Sequence, residues 1–179
     1  MLDVYTVSFF GHRYFYPNKR IEEKTTDIIK ELLRTKEFVE FLVGRNGEFD
    51  IFVSSIIRTI KREYDDNNSA LILVLPYSTS EYINNQDGFE NYYDEIEICE
   101  KSSMAHFKAA IQTRNREMVD RSELIISYID KVSGGAYNTI KYAERQNKNI
   151  INIAEIIKEW KIHTDIKCLL YVCKVEVVL

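Results

Sequence analysis

From Ala70 to Leu75 the chain runs Ala-Leu-Ile-Leu-Val-Leu without a polar break and stops at Pro76. A strand with one face in water alternates apolar and polar residues, so an unbroken run is the mark of a strand covered on both faces. Proline ends it because it cannot donate to a sheet ladder. Such a strand needs parallel neighbours and helical crossovers, and the flanking sequence supplies them. Val4 to Phe10 is rich in β-branched and aromatic residues and ends at Gly11. Between Asn18 and Lys36, Ile21, Ile28, Ile29, Leu32 and Leu33 fall on one helical stripe. Phe38 to Val43 reads as a second strand closed by Gly44-Arg45-Asn46-Gly47, and Phe49 to Tyr64 has helical spacing again before Asp65 to Ser69 breaks it.

The second half repeats the alternation. Ser78 to Ser103 is polar and aromatic, with Tyr82, Phe89, Tyr92 and Tyr93 among acids, and reads as an excursion over a pocket. Met104 to Val119 is helical, Leu124 to Ile129 is a buried strand, Ser133-Gly134-Gly135 opens a helix through Gln146, and Asn149 to Ile153 is a last strand. Strands alternating with helices imply βαβ units, hence an α/β doubly wound, mostly parallel sheet with helices on both faces. One domain over residues 1–179 is expected, with its core at about 4–153 and a strand-like extension at 160–179. Cys168 to Cys173 and Val175 to Leu179 in that extension would add an edge strand or hairpin, or pair with a second copy as a homodimer.

Composition narrows the partners. Hydrophobic residues at 45% suffice for a sizeable core. A net charge of -4 and a pI near 5.5 argue against nucleic acid, because domains that neutralise phosphate backbones are usually basic. The three cysteines include no CxxC pair, which leaves neither a disulfide framework nor a zinc ribbon. His106 and His163 lack ligand-like neighbours, so no metal is expected, and no cofactor motif appears. Met1 to Tyr5 lacks the basic region and apolar core of a signal peptide, and no run nears the roughly 20 residues of a membrane span. A cytoplasmic protein without membrane contact is the expectation.

Open parallel sheets bind ligands beyond the carboxyl ends of their strands. There the first strand delivers Gly11-His12-Arg13, the second Gly44-Arg45-Asn46-Gly47, the third Pro76-Tyr77 and the fourth Asp130 to Gly135. Glycines at a helix start let backbone N–H groups approach an oxyanion, and the helix dipole favours phosphate there. Arg13 and Arg45 would add bidentate guanidinium contacts. His12 would donate to phosphate or act as an acid or base. Asp50, just inside the helix after Gly47, either caps that helix or reaches a ribose hydroxyl. Each glycine also has the plain reading of a chain turn; their coincidence at one sheet edge favours a site. Neither GxGxxG nor GxxxxGK[ST] is present, so dehydrogenase and P-loop kinase readings lose their support.

Ser8 to Arg13, Gly44 to Asp50, Arg114 to Ile126, and Gly134-Gly135 with Thr139 and Tyr142-Ala143 together resemble the YpsA-like branch of the SLOG superfamily, in matching order over about Val4 to Ile153. The resemblance implies a Rossmann-like fold that binds nucleotides or nucleotide-derived signals. Relatives include the lonely-guy phosphoribohydrolases, the DNA-processing protein of natural transformation and sensor domains of antiphage systems. Carried over, Gly11, Arg13, Gly44, Asn46, Gly47, Asp50, Arg114, Asn115, Gly134, Gly135 and Thr139 line the pocket. Two departures count against close functional kinship. Ser133 stands where the lonely-guy PGGxGTxxE loop has its proline, and Lys141 where it has its glutamate. No basic stretch corresponds to the DNA-binding face of the DNA-processing protein. The expectation is therefore binding of a small nucleotide-like ligand, as a sensor or regulatory domain. The alternatives are a nucleotide or N-glycosidic-bond hydrolase working through Asp50 or Glu97, and a protein-interaction module with a vestigial pocket.

Overall fold

The computed structural model describes residues 2–64 and 67–159, with Phe107 and Lys108 described by their backbone only. β1 (Val4–Gly11), α1 (Lys19–Thr35), β2 (Phe38–Val43), α2 (Glu48–Tyr64) and β3 (Ser69–Leu75) come first. Then follow α3 (Ser80–Asn84), α4 (Gln86–Glu90), β4 (Glu95–Ile98), α5 (Glu100–Ser103), α6 (Phe107–Arg121), β5 (Leu124–Tyr128), α7 (Gly135–Arg145) and β6 (Asn149–Asn152). Residues 153–159 are helical, and the expected strand extension at 160–179 lies outside the described residues. Among the described residues no helix is long and apolar enough to cross a membrane.

The six strands form one sheet in the order β4-β3-β2-β1-β5-β6, and every pairing is parallel. The chain works outward from β1 through β4, then returns to lay β5 on the other side of β1. The strand order therefore reverses between β1 and β5, where Gly11 pairs with Tyr128 at the carboxyl ends. This is the doubly wound, Rossmann-like architecture.

Alternation along each strand divides the interior into two layers. Val7, Phe9, Phe41, Val43, Leu71 and Leu73 pack with Ile21 and Ile29 of α1 and Phe49, Val53 and Ile57 of α2. Phe10, Leu42, Ile72, Val74 and Ile125 face Met118 and Val119 of α6 and Ile140 and Ala143 of α7. The fully buried Ser8 of β1 is satisfied: its hydroxyl lies 2.6 Å from that of Ser122 and 3.2 Å from the Met118 carbonyl. Asn18 caps α1, its side-chain oxygen accepting from the Ile21 N–H at 3.1 Å.

The segment expected to lie over the pocket does something else. It contains the edge strand β4, and it packs Phe89 and Tyr93 into the same core layer as α2. None of its residues borders the sheet-edge cleft described below. The cause is apolar burial: Phe89 and Tyr93 are 3% and 5% exposed, and Tyr82 meets Phe89 at 5.7 Å.

Candidate strand-end site

At the reversal point a cleft of about 360 Å³ opens beyond the carboxyl ends of β1, β2 and β5. Its wall includes Gly11, His12, Arg13 and Tyr14 after β1, Gly44, Asn46, Gly47 and Asp50 around the start of α2, Ile111, Gln112, Arg114 and Asn115 of α6, and Lys131, Gly134, Gly135 and Ala136 around the start of α7. Loops far apart in the chain thus converge as the sequence leads one to expect.

The loops are held close by backbone contacts. A side-chain Cβ at Gly47 would sit 2.9 Å from Arg13 Cα, so only glycine lets these two turns touch. The Glu48 N–H donates to the Arg13 carbonyl at 3.0 Å, and the Phe15 N–H donates to the Glu48 carboxylate at 2.8 Å. On the other side the Lys131 N–H donates to His12 Nε2 at 3.2 Å, while Asp130 Oδ1 lies 3.2 Å from the same nitrogen. Burial holds the His12 pKa below the ordinary imidazole value, although the Asp130 carboxylate pulls the other way.

Arg114 is the floor of the cleft. It is 2% exposed; Nη1 donates to the Val74 carbonyl at 2.6 Å and Nη2 to Asn46 Oδ1 at 2.5 Å, while Nε has no acceptor among the described residues. Gly44 makes room for it, since a Cβ there would meet Nη1 at 2.6 Å. Asp50 accepts from the Asn46 N–H at 2.9 Å. Burial raises the Asp50 pKa against the opposing pull of Arg114, and burial lowers that of Arg114 against the pull of Asp50. Arg114 therefore braces the β2–α2 turn against the end of β3.

α7 presents its N-terminus to the cleft. Gly134, its N-cap, has φ 95° and ψ 175° and offers no side-chain cap, so the first amides of the helix are left for another acceptor. A relay fixes this turn from behind. Asn115 Nδ2 donates to Thr139 Oγ1 at 3.1 Å, and Thr139 Oγ1 donates to the Gly135 carbonyl at 3.0 Å.

Two of the candidate residues do not border the cleft. Thr139 is 1% exposed and acts through the relay. Arg45 turns toward the aromatic excursion: Nε donates to Glu81 at 2.9 Å, Nη1 to the Tyr93 hydroxyl at 3.2 Å, and the guanidinium lies 4.7 Å from the centre of the Phe89 ring. Glu97 is also elsewhere, paired with Arg121. The cleft includes residues that reasoning from sequence did not single out, notably Tyr14, Gln112 and Lys131. Gln112 precedes Asn115 by three positions and so shares its helix face, a signal that was legible. Arg13 and Lys131 are exposed at the rim and form no ion pair with any described residue.

No protein-family model and no curated protein sequence matches the chain. Solved structures do. The chain is similar to DNA processing protein A from Helicobacter pylori, whose structure was described for its unique single-stranded DNA binding mode: TM-score 0.58 and 18% identity, over 93% of this chain and 80% of that one. It is also similar to DNA processing protein A from Streptococcus pneumoniae, with TM-score 0.55 and 14% identity over 82% of this chain. The match spans 49% of the S. pneumoniae chain, about half its length. At these identities the likeness establishes the shared Rossmann-like fold.

Two expectations are corrected on this finding. A small nucleotide-like ligand, with its sensor, hydrolase and vestigial-pocket variants, is not retained as the function, and nucleic acid is no longer set aside as a partner. Both neighbours are DNA-processing proteins, one of them described for binding single-stranded DNA. Net charge does not decide the partner, because it sums the whole surface, whereas binding responds to the local field. Glu81, Asp94 and Glu97 are each paired with a cation away from the cleft, while Arg13 and Lys131 stand unpaired at its rim among the described residues.

Proposed function

We propose that this chain binds single-stranded DNA at the strand-end cleft, with backbone phosphates seated on the first amides of α7 and flanked by Arg13 and Lys131. The observation that carries the reading is the convergence, at the reversal point of the sheet, of those amides without a side-chain cap and two cations without an ion-pair partner among the described residues. The fold shared with DNA processing protein A supports it. Phosphate contacts from amides and cations position a strand without reading its sequence. Arg114, Asp50 and Asn46 serve as the rigid floor, and Asn115 and Thr139 hold the α7 turn. Placement on the YpsA-like branch of the SLOG superfamily belongs to the same proposal and rests on the glycine, arginine and asparagine motifs around the cleft.

Fluorescence anisotropy with a labelled oligothymidylate, longer than a single site of roughly 4–16 nucleotides, tests the reading. Binding that weakens as salt rises, and that unlabelled single strand competes away better than duplex, is the expected result. Absence of binding at low salt would overturn it.

A further inference from the structure

The loop between β1 and α1 carries three consecutive aromatic residues with opposite fates. Phe15 is 4% exposed and packs edge-on against Phe49 at 5.2 Å and Tyr128 at 4.9 Å, with Phe52 at 5.0 Å. Its neighbours Tyr14 and Tyr16 are 71% and 85% exposed. With Phe15 driven inward, the residues on either side of it are turned outward. The turn is held: the Phe15 N–H is bound by Glu48, and the Arg13 carbonyl accepts from the Glu48 N–H. Neither tyrosine makes a hydrogen bond, ring contact or cation contact with another described residue. Tyr14 itself borders the cleft, beside Arg13.

Two flat rings standing in water two positions apart, one of them bordering the cleft beside Arg13, suit a ligand that carries flat rings on an anionic chain. We infer that Tyr14 and Tyr16 form a stacking ledge for the bases of the strand whose phosphates occupy the cleft. This rests on the proposed DNA reading and adds to it where the bases go. The anchored loop matters energetically, because a backbone already held in place at Arg13 and Phe15 has less freedom to lose when a base settles on the rings it carries. Stacking of this kind tolerates any base, since each presents a π face. The ledge therefore adds affinity and a preference for unpaired bases while leaving sequence unread.

The test compares oligothymidylate with an abasic phosphodiester strand of equal length, at one salt concentration, for the wild-type chain and for Tyr14→Ala, Tyr16→Ala, Tyr14→Phe and Tyr16→Phe. The wild type is expected to hold the base-bearing strand more tightly than the abasic one. Each alanine change should weaken oligothymidylate binding roughly 5- to 150-fold and leave the abasic strand unaffected, while phenylalanine retains wild-type affinity. Alanine variants that bind oligothymidylate like the wild type, or that lose both strands equally, would overturn the ledge. Equal wild-type affinity for the two strands would also overturn it and leave the DNA reading standing; binding to neither strand would remove both. Because both side chains are exposed, circular dichroism should show unchanged folding in all four variants.

Discussion

The backbone N–H of Lys131 donates to Nε2 of His12, joining the loop after β5 to the loop after β1 across the point where the strand order reverses. The bond needs a neutral imidazole, because a protonated Nε2 has no lone pair to offer. Protonation would exchange it for a charge contact with Asp130.

This makes stability depend on pH in a definite direction. Burial lowers the folded-state pKa of His12 below its unfolded value of about 6.5, so the unfolded chain binds more protons in that range. The stability His12 contributes is complete above about pH 6.5 and is lost as pH falls through the lowered folded value. Urea titrations of the wild type and His12→Gln across that window should show a steeper loss toward acid in the wild type. Superimposable pH profiles would refute this.

Arg114 holds the Val74 carbonyl and the Asn46 side chain together from α6. Arg114→Leu would leave both acceptors without that donor and Asp50 without its buried counter-charge, a loss of about 3–5 kcal/mol. Arg114→Lys should recover only part of it, since an ammonium cannot span two acceptors as a planar guanidinium does. Equilibrium denaturation measures both; a loss below about 1 kcal/mol for the leucine variant would contradict the bracing role.

Gly134 occupies a backbone region that is essentially reserved for glycine, and a Cβ there would meet no atom within 4 Å. Gly134→Ala therefore tests backbone conformation without steric overlap. A cost of about 1–3 kcal/mol is expected, together with weakened oligonucleotide binding as the α7 amides shift. Unchanged binding would mean that those amides do not meet the strand.

On the proposed reading each of Arg13→Ala and Lys131→Ala removes one cation facing a phosphate, and so should weaken oligothymidylate binding and reduce the slope of log affinity against log salt by about 0.7. Arg45→Ala provides the contrast. Its charge is spent on Glu81, Tyr93 and Phe89, so it should leave the salt slope unchanged. Anisotropy titrations over a salt series decide between these outcomes.

Much of the fold was legible because it is written in local periods. The continuous run at Ala70 to Leu75, the strands at Phe38 to Val43 and Leu124 to Tyr128, and the amphipathic stripe of α1 each declare their surroundings within a few residues. β4 is harder to read although Glu95-Ile96-Glu97-Ile98 alternates as an edge strand should, because it is short and sits among acids and tyrosines. The convergence of Gly11, Gly47 and Gly134 was legible too, because parallel strands deliver all their carboxyl ends to one edge.

What the amino-acid order determined, then, was the layered architecture and the edge at which loops would gather, both consequences of periodicity and of turn-forming residues. Tertiary packing alone decided which charges face the cleft. Arg45 and Arg13 occupy comparable loops, yet one is drawn away by Glu81, Tyr93 and Phe89 while the other stays at the rim. Arg114 became a buried brace because α6 lays it under Gly44, against partners 40 and 68 positions away in the chain. The physical reason is reach: strand and helix formation depends on neighbours in sequence, whereas the fate of a long charged side chain depends on acceptors and rings that only folding brings within a few ångströms.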